Sequence, residues 1–140
     1  MTDAVAGYTR PTPVLDADNA FYWQAAAGGE LRIQSCGACG ALCHPPAPLC
    51  PVCHSSERES TQMSGLGRVA SYMIVHHPPN PWFEMPIAVV SVELEEGPQV
   101  TSNIVGVPPA EVDLGMKVEV LFASTDDPEV GVPLFRPRGN

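Results

Sequence analysis

The sequence predicts a mainly β protein with one N-terminal helix, a metal-stabilised ribbon and a C-terminal β-barrel or sandwich. Sixteen prolines and twelve glycines in 140 residues disfavour long helices and favour short strands joined by turns. Two C-x-x-C pairs lie in the first half of the chain, and β-rich runs separated by turn residues fill the second half. The predicted units are an arm and helix over 1–30, a ribbon over 31–62 and a barrel or sandwich over 63–140.

One short helix is predicted near the N-terminus. Residues 1–15 are rich in Thr, Pro and Ala and lack periodicity, which predicts a loose arm. Asp16 or Asp18 is suited to cap a helix over Asn19–Ala27, and Gly28-Gly29 is suited to end it. The consecutive aromatic residues 21–23 (FYW) cannot all face one side of a helix. Two interpretations are open: the helix packs on its own domain, or it presents an aromatic surface to a partner.

The four cysteines of the C-x-x-C pairs, Cys36, Cys39, Cys50 and Cys53, are predicted to bind one structural zinc ion per chain. Each pair can form a tight knuckle that directs two thiolates at one ion, so two knuckles complete a tetrahedron with no position for water. Residues 37–56 contain too few apolar side chains to bury a core, so a metal must hold them. The spacing is equally compatible with iron. A redox role is disfavoured because neither pair opens a helix after a strand.

Three residues near this motif are alternative ligands. Cys43 lies between the pairs at a spacing that fits neither, so it is predicted to be a free thiol. His44 and His54 flank the site, but four well-spaced cysteines leave no vacancy for them. Both histidines are therefore predicted to be surface groups or groups that surround the ligands. A short strand, Leu31–Ser35, is predicted to lead into the first pair.

The second half of the chain is predicted to form a small antiparallel barrel or sandwich. Turn signals separate its β-rich runs at 78–81 (PPNP), 96–98 (EGP) and 114–115 (LG). The four predicted strands are Val69–Val75, Ile87–Leu94, Val100–Val105 and Lys117–Phe122.

Composition and charge restrict the partners and the compartment. The formal net charge is -9 with only seven Lys and Arg residues, which disfavours nucleic acid and anionic membranes as partners. The start of the chain lacks a signal-peptide pattern, and no stretch approaches the roughly 20 apolar residues that span a bilayer. Four of five cysteines lie in C-x-x-C pairs, which is typical of metal binding in a reducing compartment. A cytoplasmic protein is expected.

Motifs for catalysis are absent from the sequence. It contains no Gly-rich phosphate loop, nucleophile elbow or H-E-x-x-H motif. The acidic residues Glu93, Glu95 and Glu96 flank a turn, and we interpret them as solvated charge rather than as an acid–base pair. The sequence therefore favours a binding or accessory role.

The loop over residues 76–83 is the candidate contact with a ligand or partner. It contains His76, His77, Trp82 and Phe83 together with three prolines, so it is stiff and partly apolar. Loops of this kind often contact a ligand. The alternative is that Trp82 and Phe83 only cover the barrel end, and catalysis by either histidine is the least favoured interpretation.

A series of short motifs runs in order from about Phe21 to Pro137. It resembles a bacterial and archaeal family, formerly a domain of unknown function, that joins a rubredoxin-like zinc ribbon to an OB-fold. Each motif alone is weak, but the ordered series is specific. The motifs are Phe21–Trp23, Leu31–Gln34 before the first cysteine pair, Pro45-Pro46 before the second, Ser64–Val69, Val92–Pro98, Gly115–Val118 and Phe135–Pro137.

The resemblance implies an OB-fold barrel and a function as a non-catalytic subunit. Members of this family accompany acyl-CoA enzymes, namely thiolase-fold enzymes such as steroid side-chain aldolases, and acyl-CoA hydratases. The helix, ribbon and barrel are then expected to dock the partner and to shape an acyl-CoA tunnel. Because the chain is acidic, the cationic groups that hold the CoA phosphates are expected on the partner.

Two other functions remain open at this stage. One is an OB-fold that binds single-stranded nucleic acid, which the net charge disfavours. The other is a stand-alone acyl-CoA enzyme that uses His76 or His77.

Overall fold

The computed structural model describes residues 8–139, so residues 1–7 of the predicted arm and Asn140 lie outside the described part. A 3-10 turn occupies Pro109–Glu111. Within residues 8–139, no helix is long and apolar enough to cross a bilayer. The other elements are α1 (Ala20–Ala27), β1 (Arg32–Cys36), β2 (Leu42–Cys43), β3 (Arg58–Gln62), β4 (Leu66–Val75), β5 (Ile87–Leu94), β6 (Gln99–Ile104), β7 (Lys117–Ser124) and β8 (Gly131–Pro137).

Helix α1 forms close to its predicted position. The Asp16 carboxylate accepts hydrogen bonds from the backbone N–H groups of Asp18 and Asn19 at 2.9 and 2.8 Å, so it stabilises the turn before the helix. Asp18 instead forms an ion pair with Arg58 of β3 at 2.6 Å. The predicted end at Gly28-Gly29 is confirmed, since both N–H groups bond to carbonyls of the last turn.

The aromatic residues of α1 pack on the protein's own core. Tyr22 is 6% exposed, and Phe21 and Trp23 are half-buried against the same core. The rings of Tyr22 and Trp23 meet edge to face at 4.8 Å. The helix crosses β8 at Gly131, where an added Cβ would lie 2.8 Å from the Ala27 nitrogen, so the close contact requires glycine. The interpretation of a helix that packs on its own domain is therefore confirmed.

The ribbon contains a three-stranded antiparallel sheet with β1 in the centre, β2 on one side and β3 on the other. Strand β1 pairs with β3 from Arg32–Gln62 to Cys36–Arg58. It begins one residue later than predicted. The sequence analysis did not predict β2 and β3, since β2 has two residues and β3 (RESTQ) has no apolar side chain.

The C-terminal half is a closed five-stranded barrel in the order β4-β5-β6-β8-β7. This confirms the OB-fold barrel and excludes the sandwich. The prediction of a wholly antiparallel sheet is wrong at one place, because β6 and β8 pair in parallel at Ile104–Phe135 to close the barrel. The barrel core is dominated by valine, leucine and phenylalanine side chains with at most 2% exposure, among them Val69, Val92, Val100 and Phe135.

Residues 8–10 of the predicted arm are held against the barrel, and the prediction of a loose arm is wrong for them. Thr9 forms a parallel bridge with Ser124 at the end of β7. The Arg10 N–H donates to the Ser124 carbonyl at 2.9 Å, and the Ser124 N–H donates to the Tyr8 carbonyl at 3.2 Å. These bonds fix residues 8–10 against the barrel and bury Arg10, which is 8% exposed.

Candidate metal centre and ligand clefts

Two similar backbone turns position the four cysteines. The Gly40 N–H donates to the Cys36 carbonyl, and the His54 N–H donates to the Cys50 carbonyl, both at 2.9 Å. Gly40 and His54 each follow the second cysteine of a pair, and both have left-handed backbone, with φ of 79° and 64°. Each C-x-x-C pair therefore forms the predicted knuckle.

Backbone N–H groups within each knuckle donate to the sulfur of its first cysteine. The N–H groups of Cys39 and Ala38 donate to Cys36 Sγ at 3.4 and 3.3 Å and lower the pKa of this thiol to about 6. The pKa of Cys50 is lowered in the same way, first by the N–H of Cys53. A lower pKa favours the thiolate, which is the form that binds a metal.

The four sulfurs form one compact cluster, as the spacing predicted. All four Sγ atoms lie within 4.8 Å of one another. Cys36 and Cys53 are 3.5 Å apart and Cys39 and Cys50 are 3.6 Å apart, measured between sulfurs. Tetrahedral zinc with bonds of about 2.3 Å separates its sulfur ligands by about 3.8 Å. The donor set therefore fits a closed, structural zinc site.

The three alternative ligands lie outside this cluster. Cys43 is half-buried, and its Sγ contacts the Pro45 carbonyl at 3.5 Å. The His44 ring lies 5.0 Å from the Tyr22 ring, and burial lowers the pKa of His44. His54 is exposed.

Two adjoining clefts lie where the arm meets the β4–β5 loop and the barrel. The first, here the loop cleft, has a volume of about 490 Å³, and the second, the helix cleft, about 320 Å³. Both clefts share four wall residues, Arg10, Phe83, Ile87 and Asn103. The loop cleft also includes Tyr8, Trp82, Glu84 and Val107. The helix cleft also includes Tyr22, Trp23, Val89, Val132 and Pro133.

The structure separates the four residues proposed for the ligand loop. Phe83 lines both clefts and Trp82 lines the loop cleft, where 38% of its side chain is exposed. His76 and His77 are exposed and line neither cleft. Of these four residues, the two aromatic ones lie in the cleft walls and the two histidines do not.

Sequence reasoning missed Arg10 as a cleft residue. Its guanidinium carbon lies 4.6 Å from the centre of the Phe83 ring, in a cation–π arrangement. The arm hydrogen bonds to Ser124 bring it there, and no local pattern in residues 1–15 indicates them.

Comparison with known protein families accounts for most of the chain. The family model described as "ChsH2, rubredoxin-like zinc ribbon domain" matches residues 23–58. The model described as "ChsH2, C-terminal OB-fold domain" matches residues 60–123. These matches cover the four-cysteine cluster and most of the barrel.

Two curated relatives are similar to this chain over most of its length. A "Probable enoyl-CoA hydratase alpha subunit" of Thermomonospora curvata is 47% identical over 128 residues, which is 91% of this chain and 40% of the relative. The "3-oxo-4,17-pregnadiene-20-carboxyl-CoA hydratase alpha subunit" of Mycobacterium tuberculosis is 36% identical over 115 residues, which is 82% of this chain and 37% of the relative. The chain thus spans about two fifths of the length of these relatives.

A solved structure titled "Ltp2-ChsH2(DUF35) aldolase" matches with a TM-score of 0.83 and 45% sequence identity. The match covers 89% of this chain and 98% of the other. Sequence and structure therefore agree on the same two modules in the same order. This chain belongs to the ChsH2 (DUF35) family, whose members join a rubredoxin-like zinc ribbon to an OB-fold barrel.

Proposed function

We propose that this chain is a non-catalytic, zinc-binding accessory subunit that docks a thiolase-fold acyl-CoA enzyme and forms part of its acyl-CoA site. The observation that carries the proposal is the match to 98% of a chain in a structure titled as an aldolase of Ltp2 and ChsH2(DUF35). The hydratase alpha subunits are more than twice as long as the matched segment. Hydratase chemistry is therefore not part of the proposal.

One zinc ion per chain is proposed to hold the ribbon. Cys36, Cys39, Cys50 and Cys53 supply four sulfurs, which complete the coordination of zinc and leave no position for water or substrate. Zinc bound there supplies folding free energy and no Lewis acid for a reaction.

The ribbon is the proposed docking surface for the partner. Leu49 and Val52 lie at the second knuckle with 50% and 68% of their side chains exposed. Exposed apolar side chains on a rigid, metal-held turn are suited to enter a pocket on another protein. Because Tyr22 of α1 is buried, the ribbon is favoured over the helix as the main contact.

The two clefts are the proposed contribution to the acyl-CoA site. Their volumes are within the range of roughly 300–1,000 Å³ that is typical of small-molecule sites. Phe83 lines both clefts and Trp82 lines the loop cleft, as expected for the loop over 76–83 if it contacts the ligand.

Complex formation tests the docking proposal. The chain is coexpressed with the Ltp2-like protein of the same genome and analysed by size-exclusion chromatography with light scattering. We expect a stable hetero-oligomer that the double variant Leu49→Asp, Val52→Asp weakens at least about tenfold. Leu114→Asp is the matched control, because Leu114 is equally exposed at 68% but lies outside the ribbon. Separate elution of the two wild-type proteins would contradict the proposal.

Two assays distinguish the alternative functions. The net charge of -9 predicts no binding of single-stranded DNA or RNA at moderate salt, measured by fluorescence anisotropy. Acyl-CoA turnover by the purified chain alone would instead support a stand-alone enzyme and would refute the accessory role.

A further inference from the structure

Arg10 is the most buried cation of the described chain, and it lacks a charged partner there. Four other arginines form ion pairs, and their side chains are between 21% and 45% exposed. Arg10 is 8% exposed, yet no carboxylate of residues 8–139 lies within ion-pair distance of its guanidinium. Burying a charge without a partner is strongly unfavourable. The buried guanidinium therefore indicates a ligand that supplies the missing negative charge.

The hydrogen bonds of Arg10 within the protein are incomplete. Its Nη1 donates to the Thr9 carbonyl at 3.1 Å and, at 3.5 Å, to the Trp82 carbonyl. Its Nη2 donates to Asn103 Oδ1 at 3.5 Å, and its Nε has no partner among the described residues. One well-formed bond leaves most of the five guanidinium donors weakly used.

The guanidinium that lacks these acceptors lies at the two clefts. Its side chain lines both of them, and it is the one charged residue in the described wall of the helix cleft. An otherwise uncharged, mostly apolar cleft wall that holds one weakly bonded guanidinium favours a ligand that brings acceptor oxygens.

We propose that the guanidinium of Arg10 binds an anionic oxygen group, a phosphate ester or a carboxylate, of a ligand that occupies the two clefts. The apolar part of the ligand lies in the helix cleft, against Trp23 and Phe83. This inference deepens the proposed function and rests on it for the ligand class. Acyl-CoA carries phosphates and some acyl groups carry a carboxylate, so either end fits the chemistry.

Electrostatics favour this arrangement in spite of the acidic chain. An anion replaces two bonds of 3.5 Å with charge-assisted bonds in a water-poor cleft, where such bonds are strong. Glu84 is the one carboxylate in the described walls, and it lines the loop cleft but not the helix cleft. Glu84 is therefore the one described wall residue that repels the anion, and Glu84→Gln is expected to strengthen binding about twofold.

Three probes separate the possible anions in calorimetric titrations of the full chain. CoA tests the phosphates, succinyl-pantetheine tests a carboxylate, and pantetheine carries neither charge. Arg10→Met should weaken binding of CoA or of succinyl-pantetheine about 10- to 100-fold, the effect of losing a charged hydrogen-bonded contact. Pantetheine binding should stay unchanged, and the probe that loses affinity identifies the anion.

Further variants separate a ligand contact from a structural role. Arg136→Met removes the same charge outside both clefts and should bind every probe like the wild type. Arg10→Lys keeps the positive charge but lacks the planar guanidinium, so it should bind the anionic probe with intermediate affinity. It serves as the test if Arg10→Met fails to fold.

The proposal is overturned if wild type and Arg10→Met bind all three probes equally, or if the wild type binds none of them. Its failure is distinguishable from failure of the accessory role, because formation of the complex with the Ltp2-like protein is measured separately. A complex that forms normally while Arg10→Met binds like the wild type contradicts only the anion contact. Binding that depends on Arg10 in a chain that forms no complex supports the contact and contradicts the docking.

Discussion

The ribbon and the barrel of this chain are stabilised in different ways. Among the largest fully buried side chains of the described residues, Ile33 lies in the ribbon and all the others lie in β4–β8 or in the turns between them. The ribbon instead brings four sulfurs together. The ribbon is therefore expected to depend on a metal, whereas the barrel depends on buried apolar surface. The comparison predicts that loss of the metal unfolds the ribbon before the barrel, although Leu31 and Ile33 of the ribbon share one apolar core with the barrel.

Loss of the metal is expected to have the largest effect. Cys36→Ser removes one of four sulfurs, and with it most of a zinc-binding free energy on the order of 10 kcal/mol in small zinc modules. Elemental analysis should find one zinc per chain in the wild type and much less in the variant. Amide hydrogen exchange should show an unprotected ribbon and a protected barrel.

The same experiment tests the predicted boundary between 31–62 and 63–140. Loss of protection in the ribbon alone supports two modules. If Cys36→Ser or a chelator unfolds the whole chain in a single step, the two regions are one cooperative unit and the comparison above is wrong.

A change in the barrel core is expected to have the second largest effect. It should destabilise the barrel and leave the metal site intact. Phe135 is 0% exposed and sits at the parallel pair that closes the barrel. Phe135→Ala should lower the free energy of unfolding by about 3–5 kcal/mol. Urea unfolding measures this loss, and the zinc content of the folded protein should stay at one per chain. Leu114→Ala, at an exposed position, should change stability by less than about 0.5 kcal/mol.

Helix α1 packs on both regions, and a change at its residue Tyr22 is expected to have a smaller, pH-dependent effect on stability. Burial raises the pKa of Tyr22 above its ordinary value of 10.0, so the folded state favours the neutral phenol. This stability is fully present below pH 10 and is lost as the pH rises above it. Tyr22→Phe removes this phenol, so the part of the free energy of unfolding that Tyr22 loses at alkaline pH should not be lost in the variant. Unfolding curves recorded from pH 8 to 11 measure the difference. An unchanged pH profile would show that Tyr22 does not titrate on unfolding.

The two knuckles differ at the residue after the second cysteine, Gly40 in one and His54 in the other, and this difference predicts the smallest effect. Left-handed backbone is unfavourable for His54 but not for Gly40. His54→Gly should therefore raise stability by about 0.5–1 kcal/mol, and Gly40→Ala should lower it by about 1 kcal/mol. Thermal unfolding of zinc-loaded protein measures both. Equal changes in the two variants would contradict the strain at His54.

The metal motif was predictable because its information is local. Two C-x-x-C pairs fix two knuckles whatever the rest of the chain does, and the structure joins them at the four sulfurs. Strand β5 was predicted without error because its apolar residues, Ile87–Leu94, lie between clear turn signals. In both cases neighbouring residues determine the local structure.

Features that depend on distant pairing were not predictable. Strand β8 contains Pro133 and Pro137, which cannot donate to a ladder, so its sequence does not resemble a strand. The two prolines are tolerated because β8 pairs with β6 only at Ile104–Phe135. Arg10 was missed for a related reason, since Ser124, more than 100 residues away, holds the arm against the barrel.

The most direct test of the accessory role is turnover by the partner with and without this chain. The Ltp2-like aldolase is assayed on its acyl-CoA substrate alone, with wild-type chain and with Trp82→Ala, a variant in the wall of the loop cleft. We expect turnover only when the chain is present, and about a tenfold loss with Trp82→Ala while zinc stays bound. Full turnover by the aldolase in the complete absence of this chain would contradict the account.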